Sequence, residues 1–465
     1  MLGGTFQKSF TAAPLLLLLQ FVTLSLASAI PTISPRDSKA FVLEQHLGNL
    51  SPYFDAPIPS HLSLGVPSGC HVDQVSLVHR HGSRGPISSE IGSVRNLSYY
   101  LNNHTSLLTS PVSTPPAKLA FLAENGGGWS AANLKQDDLT AVGRRELFDH
   151  GVSIKLDYPK HNTTLFLAGQ QDRVVESAQW FAAGYLGKDY NATGKLDVIS
   201  ESLGVKSYIT PMETCHNWTY SSGGKPVAEW GSVYLPPIAK QLNAQVQSVW
   251  PGLDFSADHV HGMLWACAYE LATLGSVGKS NWCGVFSPTQ IKQFEYELDL
   301  LMRGAFGYGL PNNSGQVMGS LYISNLTQRL TQPELFKEPN GQQRSLFFDF
   351  AHDTTIDLIL TTLGLAYDKS YPVDGPIHPA RNWRTSYQVP FAAQMEWRKV
   401  TCPGQKKADM IQLHLNKAPF DLKPVCKSDQ FGGCDLNDFL QADQVKKANA
   451  VQVGDAVWTA ACGKA

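Results

Sequence analysis

The chain has 465 residues, with 37 Lys and Arg against 39 Asp and Glu, a formal net charge of −2 and only 16% charged residues. Its 10 Trp, 16 Tyr and 21 Phe supply too much core for a disordered acidic chain. Nothing global supplies the positive footprint of a nucleic-acid binder, so an anionic ligand requires positive charge concentrated locally.

The first element reads as a signal peptide. Ala12–Leu26 is apolar apart from Pro14, Gln20, Thr23 and Ser25, and Ala27-Ser28-Ala29 follows as a small-x-small cleavage pattern. The run falls short of the ~20 residues that span a bilayer. Residues 1–29 are therefore expected to be removed, leaving a secreted, extracellular protein with no membrane association. Eight cysteines follow: Cys70, Cys215, Cys267, Cys283, Cys402, Cys426, Cys434 and Cys462. An even count in a secreted chain favours disulfides, and spacing alone leaves their pairing open. No CxxC pair suggests zinc, and no metal or other cofactor is expected. Glycosylation sequons start at Asn49, Asn96, Asn103, Asn162, Asn191, Asn217, Asn312 and Asn325.

Residues 30–70, rich in Pro, Ser and isolated hydrophobics, read as an extended arm. Val72–Val78 reads as a strand, broken by His79-Arg80-His81-Gly82-Ser83-Arg84-Gly85-Pro86. Residues 109–130 read as loop. Leu139–Gly151 has helical spacing, with Arg144 and Arg145 read as a solvated face. Leu165–Gly169 is a second short strand, leading through Gln170-Gln171-Asp172-Arg173 into a helix over Val174–Leu186. Helices are expected over 227–245, 258–274 and 288–306, the last opened by Ser287-Pro288-Thr289-Gln290 as a capping box with Pro at the first helical position. His259 and His261, two apart on a helix, share no face and suggest no metal site. Ser345–Ala351 is the third strand candidate. It runs into His352-Asp353-Thr354-Thr355, with Thr354 as the expected cap of a helix over Ile356–Leu363. From about 385 onward come short strands such as Met410–Leu415. The order argues for an α/β protein: a sheet domain over 30–185 and 320–465, with a smaller, mostly α domain inserted over 186–319.

All three strand candidates run into Arg or His at their carboxyl ends, where open α/β sheets bind ligands. Guanidinium forks match the oxygens of a phosphoryl group with bidentate, charge-assisted bonds. Arg80, Arg84, Arg173 and His352 could hold such a group and stabilise its charge in the transition state. His81 could attack phosphorus, kept neutral by the neighbouring arginines, and Asp353 is the carboxylate placed to protonate the leaving alkoxide. For Arg173 a plain ion pair with Asp172 or Glu176 is the competing reading.

Arg80-His81-Gly82-Ser83-Arg84-Gly85-Pro86 resembles the RHGxRxP motif of the histidine acid phosphatases, and His352-Asp353 resembles their HD motif. The chain is similar to the fungal-type phytases and acid phosphatases of that family over roughly residues 45–465. The resemblance implies a phosphoglycerate mutase-like mixed sheet flanked by helices. It implies His81 as nucleophile, Asp353 as proton donor, and Arg80, Arg84, Arg173 and His352 as phosphate ligands. It also implies disulfides Cys70–Cys402, Cys215–Cys462, Cys267–Cys283 and Cys426–Cys434. The substrate is expected to be a small-molecule phosphomonoester, phytate ahead of a broad range. Against phytate, Ile87–Pro116 carries only Arg95 and His104 as basic side chains. A mutase of the superfamily would lack His352-Asp353, and a non-catalytic binding protein would not keep the full set.

Overall fold

Alternation along two buried strands sets the centre of the fold. In β1 (His71–Arg80), Val75 and Leu77 face one side of the sheet while Val78 faces the other. The computed structural model describes residues 41–110, 114–124, 126–404 and 409–464, and Val42–Ala465 forms one compact unit. The expected signal peptide lies outside the described residues.

The described residues form one eight-stranded mixed sheet. With β2 (Leu165–Gly169), β3 (Lys195–Ile199), β4 (Leu346–Ala351), β5 (Gln394–Thr401), β6 (Asp409–Leu415) and β7 (Ala418–Phe420), its order is β3-β2-β4-β1-β5-β6-β7, and β8 (Cys434–Asp435) pairs with β6. The strands β3, β2, β4 and β1 run parallel, with Arg80 opposite Ala351 at the end of the β1–β4 ladder. From β1 to β5 and onward the pairing is antiparallel. One face packs Phe348 and Phe350 against Leu147, Ile154, Val174, Ala178 and Phe181 of the helices Ala141–Asp157 and Asp172–Leu186. The other packs Val78, Ala351 and Trp397 against Ile356, Ile359 and Leu360 of the helix Asp353–Thr362 and against Ile323 and Leu326 of Ser314–Thr331. Every residue of β4 is buried, so it reads as an apolar run broken only by Asp349, which Arg329 pairs at 2.7 Å.

The helices expected over 227–245, 258–274 and 288–306 occupy Gly224–Val246, Ala257–Leu274 and Pro288–Phe306. Ser287 accepts from the Gln290 N–H and Gln290 accepts from that of Ser287, as the capping box requires. His259 closes a second box with Ser256, while His261 bonds Glu297 at 2.6 Å.

Two expectations change. Thr354 is not the helix cap: the helix starts at Asp353, with His352 in extended backbone before it, and the Thr354 N–H donates to the Asp353 carboxylate at 2.9 Å. Within the mostly helical stretch 186–319, the short β3 adds to the sheet beside β2. The arm is not simply extended: 3-10 turns at Leu43–Gln45 and Gly48–Leu50 bury Leu47 and Leu50 completely. Gly48 has φ +55, and a Cβ there would stand 2.6 Å from Leu298 Cβ, so glycine alone lets the arm lie this close. Disulfides join Cys70–Cys402, Cys215–Cys462, Cys267–Cys283 and Cys426–Cys434, the pairs the resemblance implies. The first ties the start of β1 to the end of β5. Among the described residues no helix is long and apolar enough to cross a membrane.

Within β1, His79 is fully buried, its ring stacked on Phe350 at 5.5 Å. Its Nδ1–H donates to the Arg80 carbonyl at 2.6 Å, and its Nε2 meets Nδ1 of His150 at 3.0 Å. Burial pushes the His79 pKa down to about 4, against the opposing pull of the Arg80 carbonyl and Glu396. The unfolded chain takes up this proton near pH ~6.5 and the folded chain only near 4. Stability therefore falls as pH drops between those values, by about 3 kcal/mol from this group. Urea titrations across that window should show the wild type losing stability relative to His79→Gln; parallel curves would refute the assignment.

Candidate active site

Because β2, β4 and β1 are parallel neighbours, the segments that follow them converge at one sheet edge. The loop after β1 is pinned from several sides. A Cβ on Gly82 would lie 2.6 Å from the Gly143 carbonyl, and one on Gly143 would lie 2.3 Å from the Ser83 carbonyl, so both close approaches need glycine. The Thr140 N–H donates to that Ser83 carbonyl at 2.9 Å. Glu146 accepts from the Ser83 N–H and hydroxyl at 2.8 and 2.9 Å.

This loop holds His81 buried, with Nδ1 3.0 Å from the Gly82 carbonyl. A proton on Nδ1 satisfies that acceptor and leaves the lone pair on Nε2. Burial, then the charges of Arg173, Arg80, Arg84 and His352, hold the imidazole pKa well below the usual histidine range.

Three guanidiniums surround it. Arg80 has no exposed surface: Nη1 donates to the carbonyls of Asn49 and Val389, the latter at 2.7 Å, and the group lies 4.5 Å over the Phe391 ring. Burial pushes its pKa down to about 10, which leaves it cationic in acid. Its Nη2 stands 2.9 Å from Asp353 Oδ2, an ion pair without an aligned N–H. Arg84 is held by both oxygens of Glu90, at 2.8 and 3.2 Å, and Tyr269 donates to the same carboxylate. Arg173 stands on the first turn of Asp172–Leu186 and pairs through Nη1 with Asp137 at 2.6 Å. That pairing replaces both alternatives raised from sequence, since Glu176 pairs with Arg144 at 2.6 Å. In all three arginines the Nε–H is buried without a partner. Buried donors are normally satisfied, and three such cationic donors around one histidine suit an anion with several oxygens.

His352 and Asp353 enter from β4. The rings of His352 and His81 lie 5.6 Å apart, nearly perpendicular. Nε2 of His352 bonds Oε2 of Glu201 at 3.0 Å, and the Gln171 side chain donates to that oxygen at 2.8 Å. Asp353 accepts from the Asn49 amide at 3.0 Å. Its carboxyl is raised by burial and lowered by more through Arg80, Asn49, Arg84 and His352, ending below the usual range. Among the described residues no group of three or more His, Cys, Asp or Glu side chains is placed to hold a metal ion.

The structure thus gathers Arg80, His81, Arg84, Arg173, His352 and Asp353 around one pocket, joined by two residues the sequence reading missed. Glu201 follows β3, a strand too short and exposed to stand out. In the sequence Asn49 opens a glycosylation sequon. It is 5% exposed, and its amide is spent on Asp353, so a glycan has no room there. Asn325 is half-buried, and the other six sequon asparagines are exposed.

Residues 71–416 match the model of the histidine phosphatase superfamily (branch 2). The chain belongs to this superfamily. A thiamine-repressible acid phosphatase of Schizosaccharomyces pombe is 28% identical over 91% of both chains. A phytase A of Arthroderma benhamiae is 26% identical over 87% of this chain and 90% of its own. The same fold is seen in the phytase from D. castellii, with a TM-score of 0.76 at 24% identity over 95% of this chain and 93% of that one. This histidine phosphatase is therefore a phosphoric monoester hydrolase, with a mixed sheet and flanking helices as its relatives have.

Proposed function

We propose that this histidine phosphatase is a secreted acid phosphatase that hydrolyses phosphomonoesters through a phosphohistidine. The unpartnered Nε–H groups of Arg80, Arg84 and Arg173 around the free Nε2 of His81 carry the reading. The arginines and His352 hold three phosphoryl oxygens, and Nε2 attacks phosphorus as the P–O bond to the alcohol breaks. Asp353 gives its proton to the departing oxygen. It then takes a proton from the water that attacks the phosphohistidine, releasing inorganic phosphate. The free site keeps Asp353 ionised. A bound phosphoryl dianion opposes the field of Arg80 and Arg84 and raises the carboxyl, which supplies the acid when substrate is present. Secretion is supported by the four disulfides and the exposed sequons, together with the apolar stretch before residue 29.

Phytate is the substrate the resemblance favours, and relatives named phytases support it. The pocket lining favours the broader reading. Beyond the phosphate-holding groups the lining includes Ile87, Met212, Trp218, Tyr220, Met302 and Phe306, with carboxylates of Glu90, Glu201 and Glu213. It adds no lysine or arginine for a second phosphate. Rapid acid-free quenching with labelled substrate should trap one phosphoryl group per chain on His81. A label on any other residue, or none under burst conditions, would refute the mechanism.

A further inference from the structure

The alcohol side of the pocket has a chemistry of its own. Phe306, Trp218 and Tyr220 meet there, with ring centroids 5.4 Å apart for Trp218–Phe306 and 6.0 Å for Tyr220–Phe306. The Trp218 indole N–H donates to the Ala305 carbonyl at 2.8 Å, which fixes that ring. Glu213 lines the same cavity and makes no ion pair among the described residues; burial and the neighbouring Glu201 raise its carboxyl, and His352 pulls it the other way. Aromatic faces beside a carboxylate attract an organic cation twice over, through the ring quadrupole and through direct charge.

The continuation of the pocket has the same sign. Gln171, Arg173 and Glu201 are shared with an open cleft of about 640 Å³, whose walls carry Asp137, Asp138, Asp172 and Glu176. Its two arginines are already engaged, Arg173 with Asp137 and Arg144 with Glu176. A polyphosphorylated alcohol anchored at His81 would extend its remaining phosphates along carboxylates, a repulsive arrangement of the kind that enforces specificity.

We propose that the leaving-group side of this site is a subsite for a small alcohol carrying an ammonium group, bound by Trp218, Tyr220, Phe306 and Glu213. The preferred substrates are compact ammonio-alkyl phosphomonoesters, and polyphosphorylated alcohols are selected against. This rests on the phosphatase reading above and adds the class of alcohol to it.

The test compares kcat/KM from mildly acid to neutral pH for choline phosphate, its carbon isostere with a tert-butyl group in place of trimethylammonium, phytate, and p-nitrophenyl phosphate. Choline phosphate should exceed the isostere about tenfold, with phytate the poorest. The charged-to-neutral ratio should fall towards one in Glu213→Gln and also drop in Trp218→Leu. Reading the ratio within each variant cancels any loss of folded enzyme. An isostere equal to or better than choline phosphate, phytate as the best substrate, or a ratio unmoved by Glu213→Gln would overturn the proposal. Turnover of p-nitrophenyl phosphate alongside such a result leaves the phosphatase reading standing; no turnover of any ester sinks that reading, and the subsite falls with it.

Discussion

His81→Ala should remove turnover of every phosphomonoester, lowering kcat/KM by a factor on the order of 10⁴ to 10⁶. The loss is large because no other nucleophile is poised there. The neighbouring His352 is turned through Nε2 towards Glu201, and the three arginines are donors only. Binding should survive, since the Nε–H groups of Arg80, Arg84 and Arg173 are untouched. Inorganic phosphate should therefore still bind to the variant, measured by calorimetry, while hydrolysis is gone. Retained turnover near the wild-type rate would mean that another group, or water directly, attacks phosphorus. In the wild type, the depressed His81 pKa keeps the nucleophile neutral in mild acid, so loss of activity on acidification through pH ~6 should not be seen.

Asp353→Asn should show its effect through the leaving group. With an alkyl phosphate the alkoxide cannot leave without a proton, and kcat should fall by about 10² to 10⁴. With p-nitrophenyl phosphate the leaving group needs little help, and formation of the phosphohistidine should slow far less. Because the acid must be protonated, wild-type activity on alkyl esters should decline as pH rises through the carboxyl's pKa in the substrate complex. The variant should lack that decline. Equal slowing on alkyl and aryl esters would assign Asp353 to phosphate binding instead. An asparagine of the same size can keep an oxygen towards the Asn49 amide, but it removes the charge opposite Arg80 and turns its NH2 group towards the Thr354 N–H, so phosphate affinity is measured alongside kcat.

Much of the site was legible because its residues sit where local sequence and sheet geometry coincide. β2 and β4 are short, mostly apolar runs and β1 alternates apolar with polar residues; all three end in polar residues, and a parallel sheet brings such ends together. The helix opened by Ser287 announces itself through a side chain that caps its own backbone. What stayed hidden depends on partners distant in the chain. Asn49 reaches Asp353 across 304 positions, and nothing in Asn49-Leu50-Ser51 distinguishes a buried amide from a glycan acceptor. Arg173 chose Asp137, 36 residues back, over carboxylates within one helical turn, because its turn of helix faces the pocket. In β3 the pattern is half exposed, as suits a strand at the edge of the sheet, so Glu201 had no marker.

The clamp on Arg80 carries a consequence for the order in which the protein is made. Its guanidinium rests on the carbonyl of Asn49, the carbonyl of Val389 and the ring of Phe391, segments made early and late in synthesis. A chain still emerging from the ribosome holds the motif residues 80–84 without the rest of their frame. The Arg80 clamp is therefore complete only once the chain through residue 391 has been made and has folded back onto the arm.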